Sequence, residues 1–586
     1  MMAPNDSDES DVIYSGEVLT EMGGEDLAPY KMSKADRRAD DWFQHLLESS
    51  LTDASSLSPP KAKIYELLTS KPQTPALEIA EKCPNLLAKG CERYNVPIIR
   101  KRAEAWRHFD VDGVTNQDFD DAPTPSNLTP PILKAIEEEL RSKKIIVDEV
   151  SARLVYVNDV FVPSLSQTSD SPDFKCYSES DVSKLNPELS TVFSYLPDGV
   201  SDNFPYKSTT TRNRIPLSVL SGKDHMVGPY NGQGAVNNQQ GTGCFAALNS
   251  VKCKEVAVVD VQPNTVLEKP VHVIRCYDKE GVGGATHPRT ILNAGDGSVV
   301  DFVQQIVDVE QDLGTRGPSF FNGYTQAVVG AGANVTHSFV DESGGVFEAD
   351  VENDEGAREQ EMKRTQIQNT LFETISAHVN GENGSFETAM IGSGGHGRSR
   401  VCLEVHLLEE GSHAGVKGLV MSGGVQRVDM RTNIHHIASG CTSRQSQRNL
   451  VGGRSGATFK GRIRVEQSAQ QTDSEQLARS LLLNEKSRVW CIPSLEIIAD
   501  DVSCTHGATI SDLSEEELFY LRSRGLDKDT SRNLQLFAFV DEISKGVNKA
   551  VLGTDEGGGL AQRLGLKLQR IIPRGERKVK GEFQSS

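Results

Sequence analysis

The stretch LEIIADDVSCTHGATISDLSEEELFYLRSRGL, residues 495–526, carries two successive local patterns. Its first half contains short apolar runs and small polar residues without helical spacing, which is typical of strands. In its second half Ser514 and Glu517 form a capping box, the signal that opens a helix, and Gly525 is placed to end that helix. The sequence therefore predicts that β structure gives way to helix near residue 511.

Short apolar runs also recur upstream of this stretch, with Gly, Asn, Asp or Ser between them. In the C-terminal part they come roughly every eight to twelve residues, and no helical pattern separates them. Two architectures fit this spacing: a sandwich or barrel of hairpins, and a parallel β-solenoid whose coils turn at polar corners. The spacing alone leaves both open. The runs are 256–261, 271–274, 327–329, 401–408, 418–421, 425–430, 458–465, 489–492 and 495–498.

Helical spacing and shifts in composition divide the chain into six segments. A disordered acidic leader precedes a helical domain, a hairpin with a polar linker, and a β core that a charged insertion at about 352–368 interrupts. The hairpin is RLVYVNDVFVP, with its turn at Asn158 and Asp159. A helical region and a basic flexible tail complete the chain. In this order the segments are 1–30, 31–150, 151–243, 244–510, 511–548 and 549–586.

The composition excludes several classes of protein. The 586 residues include 62 Lys and Arg against 82 Asp and Glu, and the formal charge of −20 argues against a protein that wraps nucleic acid, because phosphate binding needs clustered cations. The ten cysteines form no CxxC pair, so a zinc ribbon or ferredoxin-type cluster has no local support. A P-loop, a GxSxG elbow and an HExxH helix are also missing.

Membrane and targeting signals are missing as well. No apolar run approaches the roughly 20 residues that a membrane helix needs, so we expect no membrane partner. The first 30 residues carry eight acids and no Lys or Arg, the reverse of an Arg-rich organellar transit peptide. Scattered cysteines without a secretory signal favour a reducing compartment.

Two clusters contain residue types that bind metals. Cys504 and His506 alternate along the predicted strand, so their side chains point to the same side, and thiolate and imidazole suit iron, zinc or copper. Two such ligands make half a site, which a partner could complete, and a strand cysteine is more often a packing residue. His435, His436 and Cys441 form a second candidate cluster with the same alternative.

Residues 431–539 resemble the SufD branch of the SufB/SufD family, part of the Suf machinery for iron–sulfur cluster assembly. The resemblance rests on HHIASGCTSRQ (435–445) and on residues 455–526, which end with the stretch quoted first. Both blocks have the order and spacing found in the family. SufB-like chains have a Glu-His-Glu triplet where this chain has CTHGAT, and a cysteine where DSEQLARSLLL has none, which favours SufD. Weaker similarity extends to RKRAEAWRHFDV, RLVYVNDVFVPSLS, FAALNS and VQPNTVLEKPVHVI.

The resemblance implies a mostly β fold, with a right-handed parallel β-helix (β-solenoid) core between N-terminal and C-terminal α-helical regions. FAALNS and VQPNTVLEKPVHVI would form its first β coils. It also implies a non-catalytic scaffold subunit, because ATP hydrolysis belongs to the SufC ATPase. The expected partners are a SufB-like paralogue, joined as a heterodimer through the β-helix, and a SufC-like ABC ATPase. Iron or a transient iron–sulfur cluster would be shared with SufB and not bound stably by this chain alone.

The resemblance also assigns roles to residues. His506, in the CTHGAT motif, would lie at the interface with SufB and contact iron or the nascent cluster, while Cys504 is its motif neighbour with a less supported role as a ligand. The C-terminal helices, from about 514 to 543, would dock SufC. The candidate docking residues are Ser514, Glu517, Leu518, Phe519, Leu521, Phe537 and Val540.

Other functions remain open at this point. A β-helix carbohydrate-active enzyme would need clustered carboxylates, whereas the adjacent Asp500 and Asp501 would point to opposite faces of a strand. A purely structural solenoid would use Cys504 and His506 as core residues. A SufB-like main scaffold is disfavoured by the missing Glu-His-Glu triplet. For location, the eukaryotic members of the family favour the plastid (chloroplast stroma), and the acidic leader favours the cytoplasm.

Overall fold

A computed structural model describes most of the chain. The described residues are 34–49, 57–69, 106, 108–122, 124–125, 127–196, 243–278, 284–310, 320–343, 369–553 and 559–571. The predicted acidic leader and the charged insertion at about 352–368 lie outside them. Within these ranges no helix combines the length and the apolar character needed to cross a membrane.

The described residues contain 21 strands in two sheets. The strands are β1 Ala152–Val157, β2 Val160–Phe161, β3 Ser169–Asp170, β4 Phe174–Glu179, β5 Val256–Val261, β6 Val271–Asp278, β7 Ala285–Thr286, β8 Arg289–Ala294, β9 Val299–Val309, β10 Phe320–Val329, β11 Asn334–Asp341, β12 Thr370–Val379, β13 Ser385–Gly392, β14 Arg398–Leu407, β15 His413–Ser422, β16 Arg427–His436, β17 Thr442–Val451, β18 Gly456–Val465, β19 Thr472–Leu482, β20 Arg488–Ile497 and β21 Val502–Ser511. Sheet A has the order β3, β4, β5, β8, β10, β12, β14, β16, β18, β20, with β7 beside β10, and sheet B has the order β2, β1, β6, β9, β11, β13, β15, β17, β19, β21.

From β8 onward, successive strands alternate between the two sheets, and each pairs in parallel with a strand of the previous coil. In sheet A, for example, Leu403 is level with Thr432, and Ile434 is level with Ile463. About seven turns are stacked in this way, and the side chains that point between the sheets form the main core. The predicted β-solenoid is confirmed, because hairpins would have given antiparallel neighbours. Its right-handed sense remains a prediction.

Glycine allows the turns of successive coils to stack closely. Gly453 has φ +63°, and a Cβ there would lie 2.8 Å from the carbonyl oxygen of Gly424 in the preceding coil. Any other residue at this corner would need a strained backbone and would collide with its neighbour. The high glycine content of the chain thus has a structural reason at these corners.

The predicted hairpin starts sheet B. β1 and β2 pair antiparallel, with Val157 opposite Val160. Asn158 and Asp159 fill the two-residue turn with φ values of 45° and 61°, as the favoured type of hairpin turn requires. β1 then pairs in parallel with β6, so the hairpin forms one end of the sheet.

Helices flank the solenoid at both ends of the chain. They are α1 Lys34–Glu48, α2 Pro59–Thr69, α3 Val111–Thr115, α4 Pro130–Ser142, α5 Pro187–Phe193, α6 Gly243–Lys252, α7 Glu515–Ser523, α8 Lys528–Ser544, α9 Lys549–Leu552 and α10 Leu560–Ile571.

An aromatic cluster joins the N-terminal helices to the outer side of sheet A. The rings of Trp42 and Phe320 lie 5.7 Å apart, and those of Phe245 and Phe372 stack at 4.4 Å. Phe245 belongs to FAALNS, for which the resemblance implied a β coil. That expectation is wrong: the segment lies in α6, where alanine and leucine favour a helix and every residue is buried. The solenoid therefore begins at Val256, not at residue 244.

The C-terminal helices pack on the outer side of sheet B. The predicted N-cap is confirmed, because the Ser514 hydroxyl accepts the backbone N–H of Glu517 at 3.3 Å at the start of α7. The Glu517 carboxylate accepts instead from Gln535 at 3.1 Å, so the reciprocal half of the capping box is not formed. α8 begins in the same way, at Asp527. Its apolar side buries Leu536 and Ile543 against side chains of sheet B, as the spacing predicted.

The prediction of a flexible basic tail from residue 549 is wrong for residues 560–571. These residues form α10, and two of its cations, Arg563 and Lys567, bind Glu342 at the end of β11. Its basic residues suggested a solvated tail, but an apolar residue at every third or fourth position gives the helix a buried side. These residues are Leu560, Leu564, Leu568 and Ile571.

Candidate functional site

The last coil leaves an open edge on both sheets. In the described part of the chain β20 pairs only with β18, and β21 pairs only with β19. Residues of these two strands are exposed or half-buried, whereas β14, in the middle of the solenoid, is buried throughout. The unpaired backbone groups of such an edge invite pairing with another chain. We refer to this end of the solenoid as the mouth.

Cys504 and His506 face the space between the sheets at the mouth. The register of β21 with β19 places Cys504 level with Ser474 and His506 level with Gln476, and both β19 residues are buried in the interior. The prediction that the two side chains share one side is confirmed. Because no further coil covers them, Cys504 remains half-buried and His506 is exposed.

Two thiols at the mouth are held in the protonated state. Burial, together with the nearby Asp473 carboxylate, raises the pKa of Cys504. Burial also raises the pKa of Cys491 to about 11. Cys491 was not among the predicted site residues; the register places it level with the core residue Phe459. Because thiolate is the form that binds metals, the imidazole of His506 is the more readily available donor.

A hydrogen-bonded polar floor lies beneath the mouth. The Gln476 amide donates to Gln445 at 2.6 Å, and Gln445 donates to Thr432 at 2.5 Å. Below Cys504, the hydroxyls of Ser474 and Ser443 lie 2.7 Å apart. β17 and β19 were not predicted, because their inward positions carry these polar residues instead of apolar ones.

His435, His436 and Cys441 do not converge on a common point. His435 and His436 are neighbours on β16 and therefore point to opposite sides, where His435 Nε2 lies 2.7 Å from Glu466 and His436 Nε2 lies 2.9 Å from Ser443. Cys441 donates to a backbone carbonyl at 3.3 Å, and burial raises its pKa to about 11. Among the residues that the structure describes, no three His, Cys, Asp or Glu side chains are arranged to hold a metal ion.

Asp500 and Asp501 lie in the turn between β20 and β21. Asp500 accepts a hydrogen bond from Gln467 at 3.3 Å, and the backbone N–H of Asp501 donates to Gln470 at 2.9 Å. These bonds tie the turn to the corresponding turn of the preceding coil. The Asp500 carboxylate and the Asp501 backbone thus have a local structural role, which gives no support to a carboxylate-based hydrolase.

The C-terminal helices expose some of the predicted docking residues and bury others. Leu518 and Val540 are buried, Leu521 is half-buried, and Ser514 and Glu517 form the cap. Phe519 and Phe537 are exposed, and three further exposed apolar side chains were missed because apolar residues were expected inside. Together they form what we call the apolar patch: Phe519 (72% exposed), Tyr520 (57%), Leu534 (51%), Phe537 (39%) and Leu566 (54%).

Comparison with known proteins supplies the family. Residues 276–539 match the family model described as SUF system FeS cluster assembly, SufBD core domain. Residues 276–539 belong to the SufB/SufD family. The matched region runs from the end of β6 into α8, so it contains most of the solenoid, the mouth and part of the apolar patch. Membership in this SufB/SufD family places the chain in iron–sulfur cluster assembly.

Individual relatives support the same assignment. The chain is 25% identical over 447 residues to an iron–sulfur cluster assembly SufBD family protein of Synechocystis, covering 76% of this chain and 82% of the relative. It is 27% identical over 315 residues to the chloroplastic protein ABCI7 of Arabidopsis thaliana, covering 53% and 60%. It is 34% identical over 168 residues to the iron–sulfur cluster assembly protein SufD of Escherichia coli, covering 29% and 38%. The chain therefore spans less than two thirds of the last two relatives.

Proposed function

We propose that this chain is the SufD-like scaffold subunit of a complex with SufB-like and SufC-like chains. It assembles iron–sulfur clusters at its interface with the SufB-like chain and helps to acquire iron. The observation that carries the proposal is the exposed imidazole of His506 on an edge strand at the mouth. The described chain offers no complete metal site there, so a partner that pairs with the edge would also complete the ligand set.

Sequence details favour the SufD branch over SufB. The motif around Cys504 and His506 has no Glu-His-Glu triplet, and β19 contains no cysteine. The similarity to the Escherichia coli protein named SufD points the same way. A SufB-like main scaffold would be expected to assemble a stable cluster by itself, and this chain would not.

The residues of the mouth have separate roles in this proposal. His506 offers a ring nitrogen to incoming iron, which imidazole binds well. The SufB-like partner supplies thiolate, since burial keeps Cys504 and Cys491 protonated. Beneath the ring the Gln476 amide nitrogen donates to Gln445, whereas the buried Gln476 amide oxygen has no hydrogen-bond partner among the described residues.

The apolar patch is the proposed docking surface for a SufC-like ATPase. Its five side chains come from α7, α8 and α10; α8 and α10 pack on sheet B, and α7 packs against α8. The Phe537 ring lies against Gly565, the neighbour of Leu566, and exposed aromatic and aliphatic side chains are enriched at protein interfaces. ATP binding and dimerisation of SufC would twist the pair of solenoids and expose the ligands at the mouth, and ATP hydrolysis would drive the cycle.

The proposed location is the plastid. The similarity to a chloroplastic protein of Arabidopsis thaliana and to a cyanobacterial protein supports this location. Fluorescent tagging of the full-length gene product tests it, and a uniform cytosolic signal would contradict it.

Substitution of His506 tests the proposal. The variant His506→Ala, co-expressed with the SufB-like and SufC-like chains, should lose cluster assembly, measured by iron and sulfide content, while the complex stays intact. The matched control is His413→Ala, which removes a half-buried histidine on the outer side of β15, bound to Glu387 at 2.9 Å. A normal yield of cluster with His506→Ala would contradict the proposal.

A further inference from the structure

The outer side of the mouth carries a stacked pair of rings that the site described above does not use. His108, with φ +69°, places its ring on that of Trp490, with 5.1 Å between the centroids and 22° between the planes. His108 is exposed and Trp490 is half-buried. Trp490 follows Val489, which packs against the core between the sheets, so Trp490 points to the outer side of β20. The N-terminal segment thus reaches the edge strand of the last coil.

Neighbouring contacts hold this ring pair in place. Trp106 is buried with its ring 3.9 Å from the guanidinium carbon of Arg400, and Asp110 binds Arg398 at 2.8 Å. Trp490 itself leans over Gly456 of the preceding coil, where an added Cβ would lie 3.3 Å from the indole. The stack is therefore preformed on the free chain, so a partner would not have to order it.

Positive charge is concentrated next to the stack. Arg488 is exposed and lies two residues before Trp490. The strand register places Arg427 of β16, Gly456 of β18 and Arg488 of β20 side by side across sheet A. Arg427 is half-buried, and Asp110 is already bound to Arg398. An excess of cations at this corner, in a chain of formal charge −20, favours an acidic partner surface.

Backbone pairing alone cannot hold a partner along the whole of β20. Arg488 and Ile498 donate their backbone N–H groups to the preceding coil, at 3.1 and 2.9 Å. Because N–H directions alternate along a strand, the nitrogen of Pro493 faces the open edge, where it has no hydrogen to donate. Pairing is interrupted there, so side chains must supply part of any contact on this side.

We propose that His108, Trp490 and Arg488 form an interaction surface, here called the rim, for the SufB-like partner. The rim binds acidic side chains that lie beside the partner's own open strand edge. His108 positions Trp490, and Arg488 provides the charge. This inference rests on the proposed function, because it takes the partner from it, and it extends the interface from the solenoid to the N-terminal segment.

Calorimetric titration of the full-length chain with the SufB-like paralogue tests the rim. Arg488→Glu and Trp490→Ala should each weaken binding by about tenfold, and the loss for Arg488→Glu should be larger at low salt than at high salt. The matched control is Lys175→Glu, an exposed cation on β4 near the opposite end of sheet A, which should bind as the wild type does. Unchanged circular dichroism and melting temperature show that each variant is folded.

The outcomes separate this inference from the proposed function. If the wild type binds the paralogue and both variants bind within twofold of it, the rim lies outside the interface and the inference is wrong. If the control weakens binding as much as Arg488→Glu does, the effect is one of overall charge and the rim is again excluded. If the wild type itself does not bind the paralogue, the proposed function is wrong, whatever the variants do.

Discussion

Burial distinguishes His506 from the other histidines of the solenoid. His337 hydrogen-bonds Gln304 and Thr388 inside the solenoid, and burial lowers its pKa to about 3. Burial also lowers the pKa of His435 to about 4, against the opposing effect of Glu466. These rings are neutral hydrogen-bonding parts of the structure. His506 is exposed because it lies on the last coil, and this position leaves its ring open to a ligand.

A buried acid leads to a prediction about pH. Glu373 lies inside the solenoid, where its carboxyl group accepts a hydrogen bond from Thr325 at 3.0 Å, and burial raises its pKa to about 8. The folded chain thus keeps a proton that the unfolded chain loses above about pH 4, so the free energy of unfolding falls as pH rises between these values. Glu373→Gln keeps an acceptor for Thr325 and carries no charge. We expect the variant to be more stable than the wild type near pH 8, by on the order of 1–3 kcal/mol.

Urea unfolding of both proteins across this pH range measures the effect of Glu373→Gln. The difference in the free energy of unfolding should shrink towards zero near about pH 4, where the carboxyl group is protonated in both states. Identical pH dependence of wild type and variant would show that Glu373 does not titrate in this range.

At the scale of elements, α10 anchors the C-terminal helices to the solenoid. Arg563 binds Glu342 at 2.9 Å, and the buried amine of Lys567 donates to the carbonyl oxygens of Glu342 and Ser393, each at 3.1 Å. Lys567→Ala would leave these buried acceptors without a donor, which should lower the free energy of unfolding by about 2–4 kcal/mol. Chemical denaturation measures the loss. The control Gln562→Ala, at an exposed position of α10, should change stability by less than about 0.5 kcal/mol.

A loss for Lys567→Ala no larger than for Gln562→Ala would mean that the helix is held by its apolar side alone.

The apolar patch leads to a prediction about docking. Phe519→Ser and Leu534→Ser change exposed side chains, so the fold should persist while affinity for the SufC-like ATPase falls by about tenfold or more. The matched control is Val266→Ser, an apolar residue that is 60% exposed near the other end of the solenoid. The dissociation constants are measured by surface plasmon resonance with the SufC-like ATPase immobilised. Wild-type binding by both patch variants would place the docking surface elsewhere.

At the scale of the whole molecule, local signals predicted some parts and not others. The hairpin at Asn158 and the helix cap at Ser514 depend on neighbouring residues only, and both were predicted from the sequence. The spacing of apolar runs left sandwich and solenoid open, and only the resemblance to a family favoured the solenoid. β17 could not be predicted from apolar alternation, because its inward Gln445 is satisfied by a hydrogen bond to the neighbouring strand.

The candidate site, too, could be predicted only in part from neighbouring residues. The motif around His506 predicted the residue types and their common side, but exposure depends on the number of coils that follow, which no local pattern encodes. β20 is a further example, because the apolar runs 489–492 and 495–498 on either side of Pro493 were predicted as two separate strands. The structure has one strand through it, because the proline nitrogen faces the open edge and no ladder bond is lost.

The central claim is that the mouth is one half of an interface whose other half is a SufB-like chain. Affinity purification of the tagged full-length protein from its own cells, with the mass of the eluted complex determined, tests the claim most directly. The account predicts equal amounts of this chain and a SufB-like chain, together with a SufC-like ATPase. Elution of the chain alone, or only as a dimer of itself, would contradict it.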